Sequence, residues 1–259
     1  MIAVGPIKLV IAIALGALLG GCATSGLQKT GEGIGKLDAQ EADSPSDLYV
    51  ALASEYYRIG KMDAALDRAR RALAIDDKSG RAHYVMAIVL QQLGESDAAE
   101  KHFNQALELE PNNGDIRNAW AVFLCSQGRY SEADTQFQQA LDNPLFASPA
   151  LALTNAGLCA LGANDQGKGE RYLQRALTRN ANFAPALYRL AEMHYQRGEY
   201  QAAQGYLKRL LEQPQVTPQP LLLGVRVEKA LGNRKQAKTY EQYLRQSFPN
   251  VSETLLRSL

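Results

Sequence analysis

From residue 46 onward, apolar and small residues recur at the three-to-four-residue spacing of amphipathic helices, in short runs that end at a glycine or an asparagine. These turn residues lie 34 residues apart, with one step of 36: Gly60, Gly94, Gly128, Asn164, Gly198 and Gly232. A regular period of this length indicates a unit of two helices that is repeated in tandem. The pattern therefore predicts six stacked helix pairs with one two-residue insertion.

Small residues lie five positions after each turn, where the two helices of a pair must approach closely: Ala65, Ala99, Ala133, Gly169, Ala203 and Ala237. This pattern resembles tetratricopeptide (TPR) repeats, least so in the fourth unit, where Asn164 and Gly169 replace the usual Gly and Ala. The resemblance implies an all-α, right-handed superhelix of six TPR repeats, followed by a short C-terminal capping helix at 252–259. The expected repeats are 46–79, 80–113, 114–147, 150–183, 184–217 and 218–251.

The first 21 residues have a different character, with one charged side chain, Lys8, followed by eleven residues of largely apolar sequence. Such a run suits a signal peptide and is short of the ~20 residues that span a bilayer. Leu19-Gly20-Gly21-Cys22 resembles the lipobox of bacterial lipoproteins, which implies cleavage after residue 21 and acylation of Cys22. The alternative is a plain secretory signal that happens to end near a cysteine. Ala23, rather than Asp, implies sorting to the periplasmic face of the outer membrane.

Residues 22–45 follow as an acylated N-terminus and a flexible tether, because glycines alternate there with polar residues and no helical period develops. The whole chain has 28 Lys plus Arg and 27 Asp plus Glu. This balance argues against a nucleic-acid partner. It also leads us to expect that lipid, rather than a polybasic patch, holds the protein at the membrane.

Candidate chemistry is sparse. The three His and three Cys do not cluster as ligands, so we expect no metal and no cofactor. No catalytic set is visible either, and the sequence predicts a protein that is not an enzyme. Cys125 and Cys159 lie 34 residues apart in the first helices of neighbouring repeats. In an oxidising compartment they could form a disulfide, and two buried free thiols are the alternative.

The first helix of each TPR pair lines the concave wall, which the resemblance identifies as the partner-binding groove. The predicted groove residues are mostly apolar or aromatic: Tyr57, Tyr84, Ile88, Val122, Leu158, Leu161, Tyr188 and Tyr195. A groove of this kind suits an amphipathic helix or an extended segment of a partner. Alternatively, several of these residues only pack between neighbouring first helices.

The order of signal, lipobox, tether and six repeats resembles the type IV pilus biogenesis lipoproteins known as pilotins, the PilF/PilW family. The resemblance implies a scaffold on the outer membrane that escorts secretin subunits there and promotes their multimerisation. We expect the protein itself to be a monomer. Alternatives are TPR lipoproteins of the β-barrel assembly machinery or of peptidoglycan hydrolases and, remotely, a lipid-anchored enzyme.

Overall fold

The computed structural model describes residues 44–250, which form twelve α-helices and no strand. The helices are α1 (Pro45–Arg58), α2 (Met62–Ile75), α3 (Gly80–Leu93), α4 (Ser96–Leu109), α5 (Gly114–Ser126), α6 (Tyr130–Asp142), α7 (Pro149–Gly162), α8 (Gln166–Arg179), α9 (Ala184–Gln196), α10 (Tyr200–Leu211), α11 (Pro218–Ala230) and α12 (Arg234–Ser247). They form six consecutive hairpins, so the all-α class and the six helix pairs are confirmed. The signal peptide, Cys22, most of the tether and the predicted cap at 252–259 lie outside the described residues.

Local signals in the sequence set the helix ends. Ser44 and Ser79 cap α1 and α3 by accepting hydrogen bonds from the backbone N–H groups of Asp47 and Ala82. The turn inside each hairpin needs one left-handed residue. The five turn glycines have φ between 73° and 84°, and Asn164 has φ 62°. Glycine adopts this region without strain and asparagine tolerates it better than most residues, so the predicted turn positions are confirmed.

The small residues of the packing column are buried between the helices of each pair. Ala65, Ala99, Ala133 and Ala203 have no exposed surface, and Ala237 is also buried. In the fourth repeat the helices come closer still. A Cβ atom on Gly169 would lie 2.6 Å from Leu161 and 3.1 Å from the carbonyl oxygen of Gly157. Glycine replaces alanine at this position because α7 leaves no room for a methyl group.

The main hydrophobic core is continuous from the first repeat to α9, and smaller separate clusters lie in the last two repeats and at the junction of the third and fourth repeats. Its centre is aromatic: the Trp120 ring stacks on Phe123 at 5.3 Å between centroids, and Phe103 lies 5.4 Å from both. Trp120 is only 6% exposed, so it is a packing residue of the core. Aromatic pairs at these distances stabilise by about 0.5–1.5 kcal/mol beyond the burial of their surface.

The two helices of a pair differ in burial. Each first helix has between five and eight buried residues, whereas each second helix has between two and four. The first helices are therefore the inner layer of the repeat stack and the second helices the outer layer. Within residues 44–250, no helix combines the length and hydropathy needed to cross a membrane.

The junction between the third and fourth repeats is held in both layers. In the inner layer, Cys125 of α5 and Cys159 of α7 form a disulfide, with Cα atoms 5.7 Å apart. In the outer layer, the Tyr172 hydroxyl donates to Asp134 at 2.7 Å, and Lys168 pairs with the same carboxylate at 2.8 Å. Burial and the Asp134 carboxylate raise the pKa of Tyr172 to about 12. The two-residue insertion thus lies beside a well-connected interface.

Candidate functional site: the surface of the inner layer

The eight predicted groove residues all lie on first helices, but they do not all reach solvent. Tyr84 and Ile88 of α3 are only 7% and 8% exposed and belong to the core. Tyr57, Val122 and Leu161 are half-buried and pack against that core from the side. For these five residues, packing between helices accounts for most of the side-chain surface.

The remaining three predicted groove residues lie on α7 and α9. Tyr188 and Tyr195 are half-buried and pack against the cluster of the fifth repeat. Leu158 is half-buried and, within residues 44–250, belongs to no core cluster. Among the eight, Leu158 is therefore the one side chain that does not pack into a core cluster of the described residues. We call the accessible side of the six first helices the inner surface.

Polar contacts join neighbouring first helices along the inner surface. Arg81 of α3 lies 3.6 Å from Asp47 of α1. Farther along, the side-chain amide N–H of Asn155 in α7 donates to the side-chain oxygen Oδ1 of Asn118 in α5 at 3.2 Å. Amide and guanidinium groups in this arrangement offer both donors and acceptors to an extended peptide. The inner surface is thus apolar with polar groups at intervals.

A group of ionisable side chains lies where α1, α3 and α5 meet. Burial raises the pKa of Tyr84 well above its usual range, and the nearby Asp115 and Tyr57 raise it further. Burial also raises the pKa values of Tyr57 and Asp115. Within residues 44–250 no cation pairs with the Asp115 carboxylate. It is a partly desolvated acceptor, suited to a cationic or hydrogen-bond-donating group of a partner.

Asp115 is not among the groove residues predicted from the sequence. An acidic residue in the first turn of a helix ordinarily stabilises the positive end of the helix dipole. Asp115 is such a residue in α5, so its presence there needs no second explanation from the sequence. The position of Asp115 in the repeat does indicate where its side chain lies. Asp115 is the second residue of α5, one repeat period of 34 residues after Arg81 in α3. A register comparison between repeats would have placed both side chains on the same side of the stack.

At the far end of the inner surface, basic residues surround Tyr188. The Arg189 guanidinium lies 5.8 Å from the Tyr188 ring centroid and pairs with Glu192 at 2.9 Å. Burial and Glu192 raise the pKa of Tyr188, while Arg189 and Arg226 of the next first helix lower it. The Tyr188 hydroxyl therefore lies among charges of both signs, whereas the Asp115 carboxylate has no cation paired with it in the described residues.

Models of the tetratricopeptide repeat match residues 80–113, 124–185 and 160–223. The TPR fold predicted from the 34-residue period is confirmed. The matches leave the first repeat and most of the sixth uncovered, although the helices there form the same hairpins as the others. These matches identify the type of repeat. They do not indicate the function of the protein, for which comparisons with whole proteins are needed.

The type IV pilus assembly protein PilF of Pseudomonas aeruginosa is 29% identical to this chain over 248 residues, which cover 95% of this chain and 94% of PilF. The crystal structure of PilW, described as a widely conserved type IV pilus biogenesis factor, is 33% identical and superposes with a TM-score of 0.70. It covers 84% of this chain and 99% of PilW. The chain belongs to the PilF/PilW family of type IV pilus proteins.

A structure of P. aeruginosa PilF agrees, with a TM-score of 0.68 at 27% identity over 82% of this chain and 95% of PilF. Because the matches span nearly the full length of both relatives, they concern the whole repeat array. The comparisons support a role for this PilF/PilW relative as a TPR scaffold in type IV pilus biogenesis.

Proposed function

We propose that this protein is held on the periplasmic face of the outer membrane by lipid on Cys22. We further propose that its inner surface binds the secretin subunit of the type IV pilus, brings it to that membrane and promotes its multimerisation. The observation that carries the proposal is the near full-length match to PilF and PilW. The lipobox resemblance at Leu19 to Cys22 supplies the anchor. We expect no catalytic activity and no cofactor.

The geometry of the inner surface supports recognition of an extended or helical segment. Half-buried apolar side chains such as Leu158 alternate with polar groups such as Asn155 and Asp115. A partner segment could bury apolar side chains between them while its polar groups find partners. To bring a secretin subunit to the membrane in this way, the protein needs only an inner surface that binds a segment of the subunit and a lipid anchor.

The first experiment compares two substitutions that each introduce a carboxylate in place of an apolar side chain. Leu158→Glu places the charge on the inner surface, outside every core cluster of the described residues. Ile75→Glu places it at the end of α2 in the outer layer, where Ile75 is 50% exposed. Burying an unpaired carboxylate at a dry interface should weaken secretin binding on the order of a hundredfold for Leu158→Glu.

The readouts are secretin multimers on a denaturing gel and the helical circular dichroism of each purified variant. The proposal expects multimers to be lost with Leu158→Glu and kept with Ile75→Glu, with helicity unchanged in both. Normal multimers in cells that lack the gene would exclude a function in secretin assembly. Multimers that persist with Leu158→Glu would move the binding site elsewhere on the protein.

Anchoring is tested separately with Cys22→Ser. We expect the variant to lose outer-membrane localisation while the repeats still fold, because Cys22 precedes the first helix by more than 20 residues. Fractionation of the membranes, with the size of the chain as a check on signal cleavage, gives the answer. A processed variant that stays in the outer membrane at the normal level would show that another contact holds the protein there.

A further inference from the structure

The near-zero net charge of the chain conceals a division into two oppositely charged halves. Residues 44–147, which contain the first three helix pairs, have 15 acidic and 10 basic side chains. Residues 148–250, which contain the last three, have 7 acidic and 14 basic. The two halves therefore have formal charges of −5 and +7. A whole-chain count, on which the argument against a polybasic patch rested, cannot detect this.

The change of sign is sharpest in the outer layer. Helix α2 has a net charge of +1, and α4 and α6 have net charges of −2 and −3, whereas α8, α10 and α12 have net charges of +3, +2 and +3. Eight basic side chains on these last three helices are exposed: Arg171, Arg175, Arg179, Lys208, Arg234, Lys235, Lys238 and Arg245. We call this set the basic outer face.

The acidic groups near the basic outer face are fewer than its basic ones: Glu170 and Glu241 within α8 and α12, and Asp165, Glu199 and Glu212 at the ends of α8 and α10. The acidic residues of α8 and α12, Glu170 and Glu241, are already paired with cations of the inner layer. Arg197 binds Glu170 at 2.6 Å and Lys229 binds Glu241 at 3.0 Å. Among residues 44–250, no acidic side chain forms an ion pair with Arg171, Lys208 or Lys238. Positive charge is thus left exposed on three successive repeats.

The distribution of exposed apolar residues indicates what kind of partner fits this face. Seven large hydrophobic side chains are exposed in the described part of the chain, and six of them precede residue 148. Only Tyr243 lies in the basic half. A protein interface usually has a buried centre of apolar and aromatic side chains, which the basic outer face lacks. An anionic lipid surface requires charge alone, and tyrosine is favoured at its interface.

We infer that the basic outer face binds the anionic phospholipid surface of a membrane. Each Lys or Arg near such a surface adds a modest attraction, and eight together give appreciable binding without penetration of the bilayer. Because the outer and inner layers lie on opposite sides of each hairpin, this contact turns the inner surface away from the lipid. The face would thereby orient the protein with its partner-binding side toward the periplasm or another aqueous space.

The test uses the chain from residue 22 to 259 with Cys22→Ser, so that no acyl chain contributes. Flotation with vesicles of phosphatidylethanolamine and phosphatidylglycerol is compared with flotation with phosphatidylcholine vesicles, at an ionic strength of about 0.15 M and above. We expect binding to the anionic vesicles only, and weaker binding as salt increases. The combination of Arg171→Gln and Lys238→Gln should weaken binding about thirtyfold.

The matched control removes two exposed, unpaired lysines from the acidic half, Lys78→Gln and Lys101→Gln. It should bind the vesicles like the unmodified chain. Equal binding to both kinds of vesicle, or equal losses in the two double variants, would overturn the inference. Salt-sensitive self-association in place of vesicle binding would also overturn it, because the basic outer face would then meet the acidic half of a second copy.

This inference stands apart from the proposed secretin function. Vesicle binding needs neither the lipid on Cys22 nor a secretin, so its failure leaves the multimer assay untouched. Conversely, the Arg171→Gln and Lys238→Gln variant keeps Leu158 and the rest of the inner surface. Purified, it should bind the secretin segment with unchanged affinity even when it no longer binds vesicles.

Discussion

Repeats 1–3 and repeats 4–6 share their packing columns but differ at one contact inside each hairpin, between two residues 19 positions apart. In the first half this contact is polar: Arg68 lies 6.0 Å from the Tyr49 ring, His83 and His102 join at 2.9 Å, and Arg117 donates to Gln136 at 2.9 Å. In the second half the same positions hold a leucine and a tyrosine: Leu153 and Tyr172, Leu187 and Tyr206, Leu221 and Tyr240.

The comparison teaches which positions the fold fixes and which it leaves free. A buried alanine or glycine is needed wherever two helices nearly touch, so that column varies little between the halves. The two positions that lie 19 residues apart in each hairpin accept either polar side chains or a leucine and a tyrosine. Charge varies most freely, because exposed side chains have little influence on packing. The two halves can therefore carry different surfaces on the same scaffold.

The largest effect should come from breaking the link between the halves. Replacing Cys125 and Cys159 by serine removes a cross-link that closes a 34-residue loop, and we expect the unfolding free energy to fall by about 3–4 kcal/mol. Because neighbouring repeats stabilise one another only through their interfaces, the halves should then unfold in two separate steps. Denaturant unfolding of the Cys22→Ser chain, with and without the two serines, measures both effects.

Reduction supplies the control for this prediction. A reductant should lower the stability of the disulfide-containing chain to that of the double serine variant and leave the variant unchanged. Thiol titration of the denatured, unreduced Cys22→Ser chain tests the bond itself. Two reactive thiols per chain would show that the cysteines remain free.

A smaller effect should distinguish the fourth repeat from the third. Gly169→Ala adds a methyl group 2.6 Å from Leu161, so Leu161 or the helix must shift, at a cost of roughly 1–3 kcal/mol. The reverse change at the equivalent residue, Ala133→Gly, removes a buried methyl group and adds backbone freedom to the unfolded chain, so it should cost about 1–2 kcal/mol. Thermal and denaturant unfolding of both variants provides the comparison. Unchanged or increased stability of Gly169→Ala would mean that α7 and α8 are less close than described.

The smallest effect concerns pH and the histidine pair. His83 Nε2 lies 3.0 Å from the Asp77 carbonyl oxygen, so His83 donates there and accepts from His102 through Nδ1. Burial, and then His83, lower the pKa of His102. A lowered pKa stabilises the folded protein above the ordinary value of about 6.5, and this contribution is lost as pH falls. After solvent screening we expect a loss of less than about 1 kcal/mol between neutral and mildly acidic pH.

Transplanting the pair of the second half tests this explanation. The combination of His83→Leu and His102→Tyr gives the second repeat the residues of the fifth, Leu187 and Tyr206. Its stability should fall less between neutral and mildly acidic pH than that of the unmodified chain. An identical pH dependence in the two chains would assign the effect to other groups.

Much of the fold could be predicted from the sequence, because steric requirements leave a clear pattern. The left-handed turns require glycine or asparagine, and the close helix contacts require small residues. Both sets of positions can therefore be recognised in the sequence. The candidate site was harder to predict. Periodicity places Tyr84 and Leu158 on first helices, but it does not show that Tyr84 is buried in the core and Leu158 is half-buried outside every core cluster of the described residues. That difference depends on how neighbouring first helices cover one another.

The disulfide between the third and fourth repeats has a mechanical consequence. If the chain is held at its N-terminal end and pulled from the other end, the residues between Cys125 and Cys159 cannot extend. An extended chain gains about 3.3 Å per residue, so the bond shortens the fully stretched protein by roughly 110 Å. Single-molecule extension would register that difference directly between oxidised and reduced protein. Under tension, α6 and most of α7 lie inside the cross-linked loop and bear no load.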